Sequence, residues 1–87
     1  MYTVKLSVKA TKILQKLDRP TSVMLYSWIK RNLDGCSNPR VHGKALTGDQ
    51  KGYWRYRVGT YRIIADIDDK CIRIVIINIG HRRDIYT

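Results

Sequence analysis

The sequence is poor in cysteine, poor in acidic residues and without a long apolar run. Cys36 and Cys71 are its two cysteines, and they have neither the number nor the spacing of a disulfide framework or a zinc site. No apolar segment approaches the ~20 residues of a membrane-spanning helix, and no signal peptide or lipidation motif is apparent. These absences predict a cytoplasmic protein that has no metal site, no cofactor and no membrane attachment.

Basic residues far outnumber acidic ones. The chain of 87 residues contains 17 lysines and arginines against 7 acidic residues, which gives a formal net charge of +10. This excess predicts attraction to nucleic acid, to an anionic membrane or to an acidic protein, and of these the membrane is the weakest candidate. An apolar fraction of 44% indicates a folded chain whose length allows one core, so we expect a single domain over residues 1–87.

The first third of the chain predicts a strand followed by two helices. Residues 2–9 alternate apolar and polar side chains, which is typical of a strand with Val4, Leu6 and Val8 on one side. Apolar side chains then recur at helical spacing, predicting a helix of about three turns from Ala10 and a second helix that ends near Leu33. The short break between them predicts an antiparallel helical hairpin.

Residues 53–64 alternate apolar and basic side chains, with one interruption at Gly59 and Thr60. This pattern predicts a β-hairpin with a two-residue loop, in which glycine suits the first position of a type II′ turn. The predicted register places Val58 opposite Tyr61, Arg57 opposite Arg62 and Arg55 opposite Ile64. One side of the hairpin then faces the core and carries Trp54, Tyr56, Val58, Tyr61, Ile63 and Ala65.

The other side of this hairpin carries three arginines. Like charges directly opposed across a strand pair are unfavourable by a few tenths to ~1 kcal/mol, so their clustering indicates a site for a polyanion. The alternative is that these arginines only solvate an exposed face of the sheet. The pattern by itself does not decide between these two interpretations.

The last third of the chain predicts two further strand segments. A loop at Asp69 and Lys70 would place Asp66 opposite Arg73. The same register would bring Val75 and Ile77 close to Ile64 and Arg62, as a shallow apolar floor edged with arginines. We therefore predict an α+β fold with the strand and helical hairpin packed on one face of a mainly antiparallel sheet, four-stranded or five-stranded if residues 42–48 add a strand.

The order of these elements and two local motifs resemble the RelE/ParE superfamily of toxin-antitoxin toxins, and in particular its RelE branch. The motifs are WRYRVGTYRII at residues 54–64 and IGHRRDIY at residues 79–86. The resemblance implies a RelE-like fold and a metal-independent endoribonuclease that cuts messenger RNA in the ribosomal A site and inhibits translation. It also implies an acidic RelB-like antitoxin, through which the complex of the two proteins binds operator DNA.

The resemblance also assigns functions to individual residues. Arg55 and Arg57 fall where the family keeps basic residues before the turn, Arg62 matches its arginine after the turn, and His81 stands where members have lysine or a histidine. The predicted catalytic residues are Arg55, Arg62, His81, Arg82 and Tyr86. The predicted RNA-binding residues are Lys44, Lys51, Arg57 and Arg83.

These residue types suit cleavage of RNA by attack of its own 2′-hydroxyl on the adjacent phosphorus. Arginines offer fixed positive charge to the phosphorane, while His81 and Tyr86 are the candidates for proton transfer. No carboxylate on the predicted basic face is an obvious second member of an acid-base pair, so we expect weak or no cleavage of free RNA unless the ribosome orients it.

Two other functions fit the same fold and charge. The first is a ParE-like protein that inhibits DNA gyrase without cutting RNA. The second is a degenerate toxin that only binds its antitoxin.

Overall fold

A computed structural model of the protein describes residues 1–81, so the predictions for Arg82, Arg83 and Tyr86 lie outside the described residues. The elements in chain order are β1 (Thr3–Leu6), α1 (Val8–Lys16), α2 (Arg19–Asn32), β2 (Lys44–Ala45), a 3₁₀ turn (Gly48–Gln50), β3 (Trp54–Val58), β4 (Tyr61–Asp68) and β5 (Arg73–His81). The predicted α+β fold is confirmed. Neither helix within residues 1–81 has the length and apolar character needed to cross a lipid bilayer.

The five strands form one sheet in the order β1-β5-β4-β3-β2. β1 runs parallel to β5, with Thr3 opposite Arg73, and all other pairs are antiparallel. β2 pairs with β3 only at Trp54 and Arg55. The remainder of β3 therefore has no neighbouring strand on that side within residues 1–81.

The helices pack on one face of the sheet, which we call the core face. Leu25, Ile29 and Leu33 recur every four residues along α2 and are fully buried, as their spacing predicts. They meet fully buried side chains of the sheet, and burial of each such side chain stabilises the fold by about 1.5–3 kcal/mol. The sheet residues of this core are Tyr56, Val58, Ile63, Ala65, Ile74, Ile76 and Ile79.

α1 begins earlier than its apolar pattern predicts. Ser7 caps the helix by accepting a hydrogen bond from the Ala10 amide at 3.0 Å, so Val8 is the first helical residue and is 72% exposed. The prediction that Val8 continues the first strand is wrong. An N-cap serine provides a partner for an otherwise unpaired helix amide, and here it outweighs the alternating pattern.

The register of the β4–β5 hairpin also differs from the prediction. The turn spans four residues, 69–72, instead of two, so Asp68 lies opposite Arg73 and Asp66 lies opposite Val75. A bulge at Ile77 then moves the pairing by one further residue. The predicted placement of Val75 and Ile77 beside Ile64 and Arg62 is wrong, because Asn78 and Gly80 occupy those positions.

Candidate nucleic-acid interface

The β3–β4 hairpin has the predicted register, and it collects cations on the side of the sheet away from the helices. Arg57 lies opposite Arg62, and Arg55 lies between Lys44 on β2 and Ile64 on β4. Side chains directly opposite one another in antiparallel strands have Cβ atoms about 5 Å apart. We call the surface formed by Lys44, Arg55, Arg57 and Arg62 the basic face.

The turn that joins these strands depends on glycine. Gly59 has a φ of +61°, a region in which side chains other than hydrogen are unfavourable. This agrees with the expected first position of a type II′ turn. The turn therefore sets the register that places the arginines side by side.

Arg57 and Arg62 differ sharply in exposure although they face each other. Arg57 is exposed, whereas only 2% of Arg62 is exposed. Gly80 lies opposite Arg62 on the other flanking strand and adds no side chain there. An incoming anion would meet Arg57 first, while Arg62 adds a fixed positive charge beneath the surface, where lower polarity strengthens its field.

Two carboxylates, Asp68 and Asp69, lie at the end of β4 that is away from the arginines. Asp69 binds Arg40 through two hydrogen bonds of 3.0 Å, and this guanidinium holds the pKa of the carboxyl below its usual value. Asp68 accepts hydrogen bonds from two amides of its own turn, which also lower its pKa. These two negative charges are therefore engaged in the turn at residues 69–72.

One carboxylate does share the side of the sheet that carries the arginines. Asp66 follows Ile64 on β4 with the side-chain parity of Arg62, and it is exposed. The sequence did not indicate Asp66 as the second member of an acid-base pair. Four residues along a strand span roughly 13 Å, so Asp66 is not adjacent to Arg62.

His81 is placed apart from the basic face. By its register it lies opposite Tyr61 and shares the core-face parity of that residue. The two rings meet edge to face, with centroids 5.5 Å apart. Across residues 1–81, no group of three His, Cys or Asp side chains converges as it would around a metal ion.

Lys51 belongs to a different part of the surface. It is exposed and ends the 3₁₀ turn between β2 and β3. Of the predicted RNA-binding residues within the described chain, Lys44 and Arg57 are thus brought together with Arg55 and Arg62, and Lys51 is not.

A cleft at the free edge of β3 extends the basic face, and the sequence did not predict it. Its volume is about 480 Å³. We call it the edge cleft, and it is lined by Trp28, Val41, His42, Gly43, Lys44, Arg55 and Arg57. One wall therefore comes from α2, one from the segment before β2, and one from the basic side chains of β3.

A close backbone approach builds this cleft. Gly43 has a φ of +81°, and a Cβ atom there would come within 2.1 Å of the Arg55 carbonyl oxygen. The Trp54 indole nitrogen also donates a hydrogen bond of 2.6 Å to the carbonyl of His42. Only glycine allows the segment to lie against β3 in this way, and Gly43 is the one signal in the sequence that could have indicated the contact.

Known proteins are similar to this chain over almost all of its length. A family model described as the ParE toxin of type II toxin-antitoxin system, parDE, matches residues 4–86. The chain belongs to the RelE/ParE family of type II toxins. Toxin RelG of Mycobacterium tuberculosis is 33% identical over 85 residues, which are 98% of this chain and 95% of RelG. Toxin RelE of the same organism is 32% identical over 98% of this chain and 86% of that toxin.

Solved structures of RelE/ParE toxins share the fold. The toxin-antitoxin complex RelBE2 from Mycobacterium tuberculosis contains a chain that matches with a TM-score of 0.84 and 31% identity, over 93% of this chain and 91% of that one. The isolated Escherichia coli RelE toxin matches with a TM-score of 0.73 over 93% of this chain and 84% of that one. Its identity is 19%, so that likeness bears on the fold alone.

Proposed function

We propose that this RelE/ParE toxin is a ribosome-dependent endoribonuclease that cuts messenger RNA in the ribosomal A site and is held inactive by an acidic RelB-like antitoxin. The observation that carries the proposal is the pairing of Arg57 with Arg62 on a face that also presents Arg55 and Lys44. Structural arginines are seldom held directly opposite each other, because their repulsion opposes folding. The similarity to toxins RelG and RelE supports the same conclusion.

The arrangement suits stabilisation of a phosphorane. When the 2′-hydroxyl loses its proton and its oxygen bonds to phosphorus, the phosphorane oxygens carry a second negative charge until the P–O5′ bond breaks and the 5′-oxygen takes up a proton. Guanidinium groups offer two parallel donors to those oxygens. Arg57 would contact the phosphate from solvent while Arg62 and Arg55 contribute positive charge at its flank. Such preorganised charge is commonly worth a factor of about 10²–10³ in rate.

Proton transfer is assigned to groups at the end of the chain. We propose Tyr86 and Arg82 as partners of the basic face, with Arg83 as an additional phosphate contact. His81 lies against Tyr61 on the other side of the sheet, so a general-acid role would need its ring to move. The ribosome would supply the orientation that the toxin alone does not provide.

An antitoxin has an apolar surface available on the helical side. A groove of about 320 Å³ between β1, α1 and α2 is lined by Leu6, Leu14, Val23 and Tyr26 among others, and the last two are 53% and 48% exposed. An acidic partner would be steered by the net charge of +10 and would gain affinity by covering such apolar area. RelB would then wrap the domain, and the complex would reach operator DNA through RelB.

The test is cleavage of messenger RNA on ribosomes with matched variants. Arg57→Ala is expected to lower the cleavage rate about 10²-fold, because it removes an exposed phosphate donor. Arg62→Lys keeps a buried cation but removes the guanidinium fork, and a loss of similar size is expected. The control Arg31→Ala removes an exposed arginine of α2 and should leave the rate within about twofold. Equal rates for Arg57→Ala and wild type would refute the site.

Inhibition of DNA gyrase is a second candidate function, because the matching family model is described as a ParE toxin. Supercoiling of plasmid DNA by purified gyrase in the presence of the toxin tests it directly. Loss of supercoiling without messenger cleavage would favour that function. Neither effect, together with antitoxin binding, would identify a degenerate toxin.

A further inference from the structure

The edge cleft is a compact site that joins an aromatic wall to a cationic rim. The Trp28 ring contacts the His42 ring edge to face, with centroids 5.7 Å apart, and it tilts against Tyr56 at 5.6 Å. Lys44 and Arg57 line the same cleft. Such a pairing of π-surface and positive charge matches the two halves of a nucleotide, its base and its phosphate.

The walls of the edge cleft are held in place before any ligand arrives. His42 is fixed through its carbonyl by the Trp54 indole, and Gly43 lets the backbone touch β3. The cleft volume of about 480 Å³ falls in the range of small-molecule sites, which is roughly 300–1,000 Å³. A preformed cleft of this size can receive one unstacked base at little ordering cost.

The position of the cleft connects it to the basic face. Arg55 and Arg57 belong to both surfaces, and β3 beyond Arg55 has no neighbouring strand on this side within residues 1–81. A strand of RNA that leaves the basic face can therefore turn over this edge. Bases splayed out of single-stranded RNA are the ones that proteins bind between aromatic and cationic groups.

We propose that the edge cleft is a binding subsite for one base of single-stranded RNA, adjacent to the phosphate held on the basic face, and this inference rests on the proposed function. His42 and Trp28 contact the base. Lys44 and Arg57 hold its phosphate. The cleft thereby selects RNA that is unpaired next to the scissile bond.

The experiment measures binding of 2′-O-methyl RNA tetranucleotides, which cannot be cleaved, each with one base removed in turn. In the wild-type toxin, removal of the base that occupies the cleft is expected to weaken binding about tenfold. In His42→Ala the same removal should cost less than about twofold, because the contact is already lost. His42 is exposed, and urea unfolding of the variant verifies that its stability is unchanged.

A charge placed in the cleft gives an independent arm. Val41 is 69% exposed and lines the cleft, so Val41→Glu should weaken tetranucleotide binding about tenfold through repulsion of phosphate. Val8→Glu is the matched control, because Val8 is 72% exposed on α1 and the change in net charge is the same. The control should change binding by less than about twofold.

Three results would overturn the subsite. The first is equal tolerance of base removal at all four positions by the wild-type toxin, and the second is an unchanged base-removal pattern in His42→Ala. The third is a weakening of polyaspartate binding by His42→Ala that equals its weakening of tetranucleotide binding, which would indicate recognition of negative charge alone. Messenger cleavage on ribosomes is measured separately, so a toxin that binds the base but cuts nothing would refute the nuclease proposal and leave the subsite standing.

Discussion

The two turns at the ends of β4 each contain a residue with a positive φ, which is glycine in one turn and isoleucine in the other. Gly59, in the turn beside the arginines, has a φ of +61°, and Ile72, in the turn beside the aspartates, has a φ of +51°. A β-branched residue in this region is strained, whereas glycine is not. The backbone is therefore strained at Ile72 in the turn beside the aspartates and unstrained at Gly59 in the turn beside the arginines.

The side-chain charges differ in the opposite sense: they repel at the turn with the unstrained backbone and are paired at the turn with the strained one. At the basic end Arg57 and Arg62 face each other and repel, while at the acidic end Asp68 and Asp69 are satisfied by amides and by Arg40. Side-chain contacts thus hold the acidic turn together, whereas the basic turn depends on the positive φ of Gly59. We infer that the acidic turn serves stability and the basic end serves ligand binding.

Charge reversal at the basic end should separate activity from stability most strongly. Arg57→Glu places a carboxylate opposite Arg62, so messenger cleavage is expected to fall more than about 10²-fold. Folding stability should rise by about 0.2–1 kcal/mol, because repulsion is replaced by attraction across the strand pair. Ribosomal cleavage and urea unfolding measure the two effects, with Arg31→Glu on α2 as the charge-matched control. A fall in stability would contradict the assignment of this end to function.

Removal of a turn carboxylate should lower folding stability and leave messenger cleavage unchanged. Asp68→Ala deletes the acceptor of hydrogen bonds from the amides of Lys70 and Cys71 at 3.0 and 3.1 Å, and a lower midpoint of urea unfolding is expected. Messenger cleavage should stay within about twofold of wild type. Asp66→Ala, which changes an exposed carboxylate two positions earlier, is the control and should alter stability little. Equal losses of stability in Asp68→Ala and Asp66→Ala would show that the hydrogen bonds of Asp68 do not stabilise the fold.

Exchange of the residues with positive φ should change stability in opposite directions at the two turns. Ile72 is 44% exposed, so Ile72→Asn gives up little burial and should stabilise the protein by about 0.5–1 kcal/mol. Gly59→Ala should destabilise it by about 1 kcal/mol or more. Thermal unfolding of both variants measures the difference. The same sign for both changes would be inconsistent with strain at Ile72.

The smallest expected effect concerns pH. The pKa of Asp69 is lowered in the folded protein by its hydrogen bonds with Arg40 and Tyr2, so its contribution to stability is present above the unfolded value of about 4 and is lost as the pH falls through the folded pKa. Asp69→Asn should therefore flatten the decline of the melting temperature between about pH 5 and pH 3. Lys70→Ala in the same turn is the control. An identical decline in Asp69→Asn and wild type would exclude this carboxylate as a source of the acid sensitivity.

The first hairpin could be predicted to the residue, and the second could not, for a physical reason. Alternation fixes which side chains face the core, and a shift of two residues leaves that assignment unchanged. The longer turn at residues 69–72 is such a shift, so Ile74 and Ile76 reach the core in either register. The bulge at Ile77 depends on local geometry that alternation does not encode.

The candidate site was predictable in part for the same reason. Arg55, Arg57 and Arg62 lie on one hairpin, and their placement follows from local pairing. The edge cleft combines Trp28 of α2 with His42 and Gly43 of a segment without regular structure, and contacts between distant segments have no periodic signal in one sequence. The parallel pairing of β1 with β5 was beyond prediction on the same grounds.

That parallel pairing has a consequence for folding. Thr3 lies opposite Arg73, 70 positions later, so β1 and β5 meet only when a very long loop closes. Closure of such a loop costs conformational entropy before the pairing repays it, which makes this contact slow to form. The first strand of the chain is therefore expected to be the last to join the sheet.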